Sequence, residues 1–138
     1  MTRESEWNRA YVIEDLEVHR DIRGALYETL RFSSQAIPEG GQIYVYTVAP
    51  GARRGDHFHE RKCEWFTCVA GRVRLLMKTK DGDRIDETLD ADQPRLVFAG
   101  PGTSHAVLNE TEEEAVIIAY ASKEFDSADS DTILEPAD

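Results

Sequence analysis

His57 and His59 stand either side of a single residue in the stretch GARRGDHFHERKCEWFTCVAG, Gly51 to Gly71, and Glu64 follows. In an extended chain, residues two apart project from one face, so the two imidazoles would stand side by side. Two imidazoles with a carboxylate near them begin a site for a first-row transition ion, since nitrogen and oxygen donors suit zinc, iron, manganese, nickel or copper. Another imidazole, His105, lies downstream in the turn-rich segment GPGTSHAVLN. A histidine taken alone is more often a surface or core residue than a ligand. It is the combination of His57, His59, Glu64 and His105 that points to a metal.

Strands must position these groups. Ala10 to Glu14 (AYVIE) is a short β-type run, and Asp21 to Gly24 makes a turn. Leu26, Glu28 and Leu30 alternate with Tyr27, Thr29 and Arg31, which predicts a strand over 25–32. Ser33 to Gly41 is a loop marked by Pro38 and two glycines. QIYVYTV, Gln42 to Val48, is rich in β-branched and aromatic residues and ends at Pro50-Gly51. After the histidine stretch come Arg72 to Lys80, an Asp81-Gly82-Asp83 hairpin turn and Arg84 to Leu89. Arg95 to Ala99, His105 to Asn109 and Ala115 to Ala121 complete the strands. No segment sustains a helical period, so many short, evenly spaced strands imply an all-β sandwich or barrel. With neither repeat nor linker, residues 1–138 read as one domain with a core of about 12–125 and an acidic C-terminal tail. Residues 1–10 are polar and expected to be loosely ordered.

Charge and cysteine narrow the classes. A net charge of −11 argues against nucleic acid, whose phosphates need a basic surface. No apolar run is long enough to span a membrane and no leader follows Met1, so a cytoplasmic protein is expected. Cys63 and Cys68 are the only cysteines. Five positions apart on one strand, they face opposite ways, which argues against a disulfide and for small buried apolar residues in a reducing compartment. Between Arg53 and Lys80 the balance is basic: Arg53, Arg54, Arg61, Lys62, Arg72, Arg74, Lys78 and Lys80 against Asp56, Glu60 and Glu64. A cationic centre in an acidic chain suits a small anion such as a diphosphate. For Lys78 and Lys80 a solvated strand face is the simpler reading.

Gly51, His57, His59, Glu64 and Gly71 are spaced as in the first motif of the cupin superfamily, and Gly102, His105 and Asn109 fit its second. Pro101 stands one place late in the turn. The chain resembles the cupins, which implies a single-domain jelly roll, or double-stranded β-helix. The segments DIRGALYETLRF, PGARRGDHFH and ASKEFDSADSDT, in this order, are similar to the nucleotide-sugar epimerase and ketoisomerase branch. The nearest resemblance is to the C-terminal cupin domain of capsular-polysaccharide UDP-sugar reductase/epimerases.

That resemblance implies an epimerase or ketoisomerase acting on a nucleotide-linked keto-deoxysugar in polysaccharide biosynthesis. It implies one divalent transition metal on His57, His59, Glu64 and His105, zinc before iron, manganese or nickel. In related deoxysugar epimerases the histidine after Arg-Gly is the base, here His57; a coordinated His57 has no lone pair, so the two roles compete. Tyr44 and Tyr46 share a parity that can face the interior and are candidate proton donors, although such tyrosines are more often core. Arg54 is the candidate phosphate contact, with Arg53 and Arg23 behind it; Arg23 equally suits a solvent-facing turn. Phe125 stands where a 3,5-epimerase has its tyrosine donor. A homodimer is expected, because open jelly-roll edges need covering. The alternatives are a small iron-dependent cupin dioxygenase and a non-catalytic ligand sensor.

Overall fold

A computed structural model describes residues 9–37 and 39–138. The expectation for residues 1–8, and Pro38 of the first loop, fall outside these. The strands are β1 (Tyr11–Asp15), β2 (His19–Asp21), β3 (Gly24–Leu26), β4 (Gln42–Val48), β5 (Arg53–Phe58), β6 (Glu64–Ala70), β7 (Arg72–Lys78), β8 (Arg84–Asp90), β9 (Arg95–Ala99), β10 (Ser104–Leu108), β11 (Ala115–Ala121) and β12 (Ile133–Leu134). They form two five-stranded antiparallel sheets, β1-β9-β6-β11-β4 and β12-β5-β10-β7-β8, with β2 and β3 as a separate hairpin. This is the jelly roll of the cupins.

Alternation decides what is buried. On β4, Tyr44, Tyr46 and Val48 point inward while Ile43, Val45 and Thr47 point out, as a strand with one solvated face requires. Phe66, Val97 and Ile117 from the first sheet meet Val73, Leu75 and Met77 from the second between the two layers. Each such side chain contributes about 1.5–3 kcal/mol by leaving water. A second cluster of Ile37, Cys63, Trp65, Leu96, Phe98 and Tyr120 covers the outer face of the first sheet. Cys63 and Cys68 thus lie on opposite sides of that sheet, both buried and both free.

The strand predicted over 25–32 is not formed: β3 ends at Leu26. Beyond it the chain turns, with Gln35 N–H on Arg31 O and Ile37 N–H on Phe32 O. Leu30 packs on the second cluster and the Phe32 ring lies 5.1 Å from Tyr120. The apolar alternation there marks burial against a finished sheet and carries no ladder of its own. The acidic tail is also more than an appendage, because β12 pairs with β5. Among the described residues, no helix is long and apolar enough to cross a membrane.

Candidate metal centre and pocket

The site lies between the sheets and draws on both. His57 on β5 faces His105 on β10 as a direct cross-strand pair. His59 follows in the turn after β5, while Glu64 opens β6 in the opposite sheet, between Ala99 and Ala121. A bulge makes this possible. His105 pairs with His57, but the next residue, Ala106, pairs with Gly55, leaving Asp56 as the extra residue of β5. Arg54 and His57, three apart, would face opposite ways on an unbroken strand; the bulge turns both toward one cavity. Its backbone needs φ of +104° at Gly55 and +60° at Asp56. A Cβ on Gly55 would also come within 2.5 Å of the His105 carbonyl oxygen.

Asp56 holds the bulge shut. Its carboxylate accepts from Arg53 Nε at 2.7 Å and Nη2 at 2.6 Å, and from the Ala137 N–H at 3.1 Å. Arg53 also donates to Asp138 at 2.8 Å. These bonds, Arg53 foremost, hold the Asp56 carboxyl below its ordinary range.

Donor atoms of His57, His59 and His105 lie within 4.8 Å of one another, a group able to hold a metal ion. Glu64 reaches between two of them, Oε1 lying 2.8 Å from His59 Nε2 and Oε2 3.3 Å from His105 Nε2. The close approach to His59 is not aligned as a hydrogen bond, so Nε2 stays buried without a partner. His59 Nδ1 lies 2.6 Å from the Asp131 carbonyl oxygen, and His105 Nδ1 lies 3.4 Å from that of Thr103. A carbonyl only accepts, so a neutral ring at His59 carries its proton on Nδ1 and presents a lone pair at Nε2. Buried imidazole lone pairs beside a carboxylate repel one another unless a cation lies between them, so the donor set fits a divalent transition ion. Burial alone would raise the Glu64 carboxyl, but with the facing nitrogens of His105 and His59 protonated, the state in which no ion lies between them, the two rings hold it well below the carboxylate range. His57 is pushed down to about 4 by burial and then by the neighbouring His105 and His59, so it is neutral near pH 7.

The adjoining cavity, about 280 Å³, is lined by Tyr44, Tyr46, Arg54, Gly55, His57, Glu64, His105 and Val107. The two tyrosine rings stack at 6.1 Å. Burial, and then the Glu64 charge, raise both phenols, so both remain protonated; Arg54 opposes the rise at Tyr46. The Arg54 guanidinium lies 5.8 Å from the Tyr46 ring centroid. Its Nε donates to the Thr47 carbonyl at 2.8 Å, which leaves the terminal amino groups for an anion.

The residues singled out from sequence therefore separate. His57, His59, Glu64, His105, Tyr44, Tyr46 and Arg54 converge. Arg23 and Arg53 do not line the cavity. Arg23 clasps Asp21 at 2.5 Å in the exposed β2–β3 turn, and Arg53 is engaged by Asp56 and Asp138. Of the basic run, only Arg54 reaches the cavity wall among the described residues. Sequence reasoning missed Val107 and the hold of Asp131 on the site; Val107 carries no signal beyond its place in a strand, and Asp131 entered only as part of a tail segment, with no role.

Fold and site together define a cupin domain with a histidine-carboxylate centre beside an anion-ready pocket. The chain belongs to the polysaccharide biosynthesis C-terminal domain family, whose profile matches residues 19–133. It is 28% identical over 119 residues to the UDP-2-acetamido-2,6-beta-L-arabino-hexul-4-ose reductase of Pseudomonas aeruginosa, covering 86% of this chain and 31% of that protein. The capsular polysaccharide assembling protein CapF of Staphylococcus aureus superposes with a TM-score of 0.68 at 26% identity, covering 88% of this chain and 34% of that one. ChmJ of Streptomyces bikiniensis, a 3'-monoepimerase solved with dTDP-quinovose, gives a TM-score of 0.76 at 24% identity, over 87% and 67% of the two chains. The chain thus spans about a third of the length of the first two relatives.

Proposed function

We propose that this domain is an epimerase or isomerase of a nucleotide-linked keto-deoxysugar in polysaccharide biosynthesis, and that it holds a divalent transition ion, zinc first. The reading is carried by one convergence: Arg54, Tyr46, His57 and the His59–Glu64–His105 cluster all border the same cavity or its floor. Family membership supports the pathway, and dTDP-quinovose in ChmJ supports a sugar nucleotide as ligand.

Inversion beside a ketone requires removal of a carbon-bound proton and its return on the opposite face. Glu64 lies within 3.3 Å of both His59 and His105, and these three form the ligand core. His57 lines the cavity beside them, neutral near pH 7, and takes the substrate proton. Tyr46, protonated and next to Arg54, returns one. Tyr44, kept protonated by burial and then by the Glu64 charge, lines the cavity beside the ligand core. Arg54 binds the diphosphate through its terminal amino groups. When bound, the ion supplies Lewis-acid stabilisation of charge developing on the ketone oxygen.

The test is elemental analysis of purified protein followed by deuterium wash-in on nucleotide 4-keto-sugars. About one equivalent of divalent metal and stereospecific exchange are expected, with exchange slowed about 10²–10⁴-fold in Tyr46→Phe and far less in Tyr44→Phe. Oxygen uptake with Fe(II) and no exchange would favour a dioxygenase; tight sugar-nucleotide binding without exchange would favour a sensor.

We also propose that two copies pair. Among the described residues β4 is an edge of its sheet, and Ile43 and Val45 point outward from it at 66% and 61% exposure. Sedimentation equilibrium at micromolar concentration should give a dimer, and a monomer there would refute pairing. The free thiols suit a cytoplasmic setting.

A further inference from the structure

The tail returns to the metal centre at one residue. Asp131 sits at φ of +50°, a left-handed conformation that aspartate tolerates better than most side chains. Its carboxylate accepts three consecutive backbone donors from the turn after His59: Glu60 N–H at 2.9 Å on Oδ1, and Arg61 and Lys62 N–H at 3.1 and 3.0 Å on Oδ2. Its side chain is 8% exposed. The carbonyl oxygen of the same residue lies 2.6 Å from His59 Nδ1. One residue thus holds both the ring and the backbone that carries the ring. The rest of the strap is anchored independently. Glu135 N–H bonds the Asp56 carbonyl at 2.8 Å, Ser104 Oγ donates to Glu135 O at 2.5 Å, and β12 pairs with β5.

We infer that Asp131 is a positioning residue of the metal centre: its carbonyl fixes His59 as the Nδ1–H tautomer, and its carboxylate pins the 60–62 turn so that Nε2 faces Glu64. Two features require a device here. His59 lies just past the end of β5, where, among the described residues, its own backbone is tied only through its carbonyl, which accepts from the Gly102 N–H at 2.7 Å. The Nδ1–H form must also be selected by a partner, because only then is Nε2 the bare nitrogen. The partner is a peptide carbonyl, so the selection does not depend on the charge of the aspartate. The carboxylate has the separate task of gathering three backbone donors of the turn, of which the Lys62 N–H is the most buried.

The inference rests on the ligand role proposed for His59, but its first test does not. Long-range 1H–15N NMR of the metal-free wild type at mildly alkaline pH should show His59 protonated at Nδ1 and bare at Nε2. An Nε2–H tautomer overturns the proposal. The second test is Zn2+ affinity by chelator competition, run well below the melting transition. Asp131→Asn keeps the carbonyl and tolerates the left-handed backbone, but turns an amide NH2 toward the donors of the turn. It should bind Zn2+ about 10–100-fold more weakly. Asp129→Asn, which changes an exposed partner of Arg61, should stay within about twofold. Wild-type affinity in Asp131→Asn overturns the proposal, as does an equal loss in Asp129→Asn. Should Asp131→Asn not fold, the wild-type tautomer decides alone. A wild type that binds no Zn2+ would sink the metal reading while leaving the tautomer result to stand or fall separately.

Discussion

His57 and His59 stand two residues apart and serve one cluster, yet the chain fixes them by different means. His57 is placed by its own neighbourhood: Gly55 and Asp56 bulge the strand, Arg53 locks the bulge, and His105 pairs across it. His59 lies past the last ladder pairing and is held by Asp131, 72 positions away. The histidine facing the cavity is therefore set by a bulge formed in its own strand, which the tail also grips through the Ala137 and Glu135 N–H groups on Asp56 and Leu134 opposite His57, and the buried one by a remote clamp. A local device withstands changes elsewhere but fails completely when its glycine is lost. A remote clamp can be weakened by degrees.

Gly55→Ala is the largest single break on the His57 side. The new Cβ would meet the His105 carbonyl at 2.5 Å, in a backbone with φ of +104°. Because that neighbour is backbone, β5 and β10 must separate or the bulge must move. A loss of about 3 kcal/mol in denaturant unfolding is expected, from overpacking together with strain. Turnover should vanish, since Arg54 and His57 would no longer share a face. Unchanged unfolding together with retained turnover would show that the bulge is dispensable.

Replacing the histidines themselves sharpens the contrast. His57→Asn should retain Zn2+ while slowing deuterium exchange about 10²–10⁴-fold, as for loss of a general base. His59→Asn should lose Zn2+ first, and exchange with it. Loss of Zn2+ in both would make His57 a ligand, and the base would then have to be sought elsewhere in the cavity.

Acid titration probes the two clamps together. Burial alone would raise the Asp131 carboxyl, but the N–H groups of Glu60, Lys62 and Arg61 overcome it and hold it low; Asp56 is held low by Arg53 first. A carboxyl whose folded value lies below its unfolded one stabilises the fold above the unfolded value, about 3.9. That contribution is lost as pH falls through the folded value. The metal-free protein should therefore lose stability below about pH 4. Asp131→Asn and Asp56→Asn should each flatten that limb, Asp131→Asn the more because its carboxylate is the more buried. A limb unchanged in both variants would mean that neither carboxylate is engaged in solution.

The same contrast explains what could be read from sequence. Strand alternation placed Tyr44 and Tyr46 inside, and motif spacing brought His57, His59, Glu64 and His105 together, because each depends on residues within a strand or on a repeated spacing. Arg53 stood behind Arg54 as a phosphate contact and could not be dismissed, since no sequence rule marks where a bulge reverses the parity of a strand. Leu30 continues a strand-like alternation because the outer face of a sheet demands the same apolar pattern as a ladder does, whereas Leu26 is exposed at the end of β3. Asp131 fell within ASKEFDSADSDT, whose place in the order of segments carried the resemblance, but its role gave no signal: an aspartate in an acidic tail has the composition of a solvated segment, and its partners lie about seventy positions upstream.

The smallest effect tests whether the tail acts through Asp131 or through its charge in general. Arg61 reaches Asp129 at 2.5 Å and Asp131 at 3.9 Å, with side chains 48%, 65% and 8% exposed in that order. An exposed ion pair contributes about 0–1 kcal/mol and fades with salt, whereas backbone donors on a carboxylate 8% exposed are fixed by the turn and are screened less. Arg61→Ala should therefore shift unfolding by no more than about 0.5 kcal/mol, and any shift should disappear as ionic strength rises. Zn2+ affinity should not follow it, because the Arg61 N–H bond to Asp131 is a backbone bond that survives truncation of the side chain. If Arg61→Ala lowered Zn2+ affinity as far as Asp131→Asn, with the loss screened by salt, the tail would be steering the site by its field. The distinction between a local device and a remote clamp would then give way to one of geometry against charge.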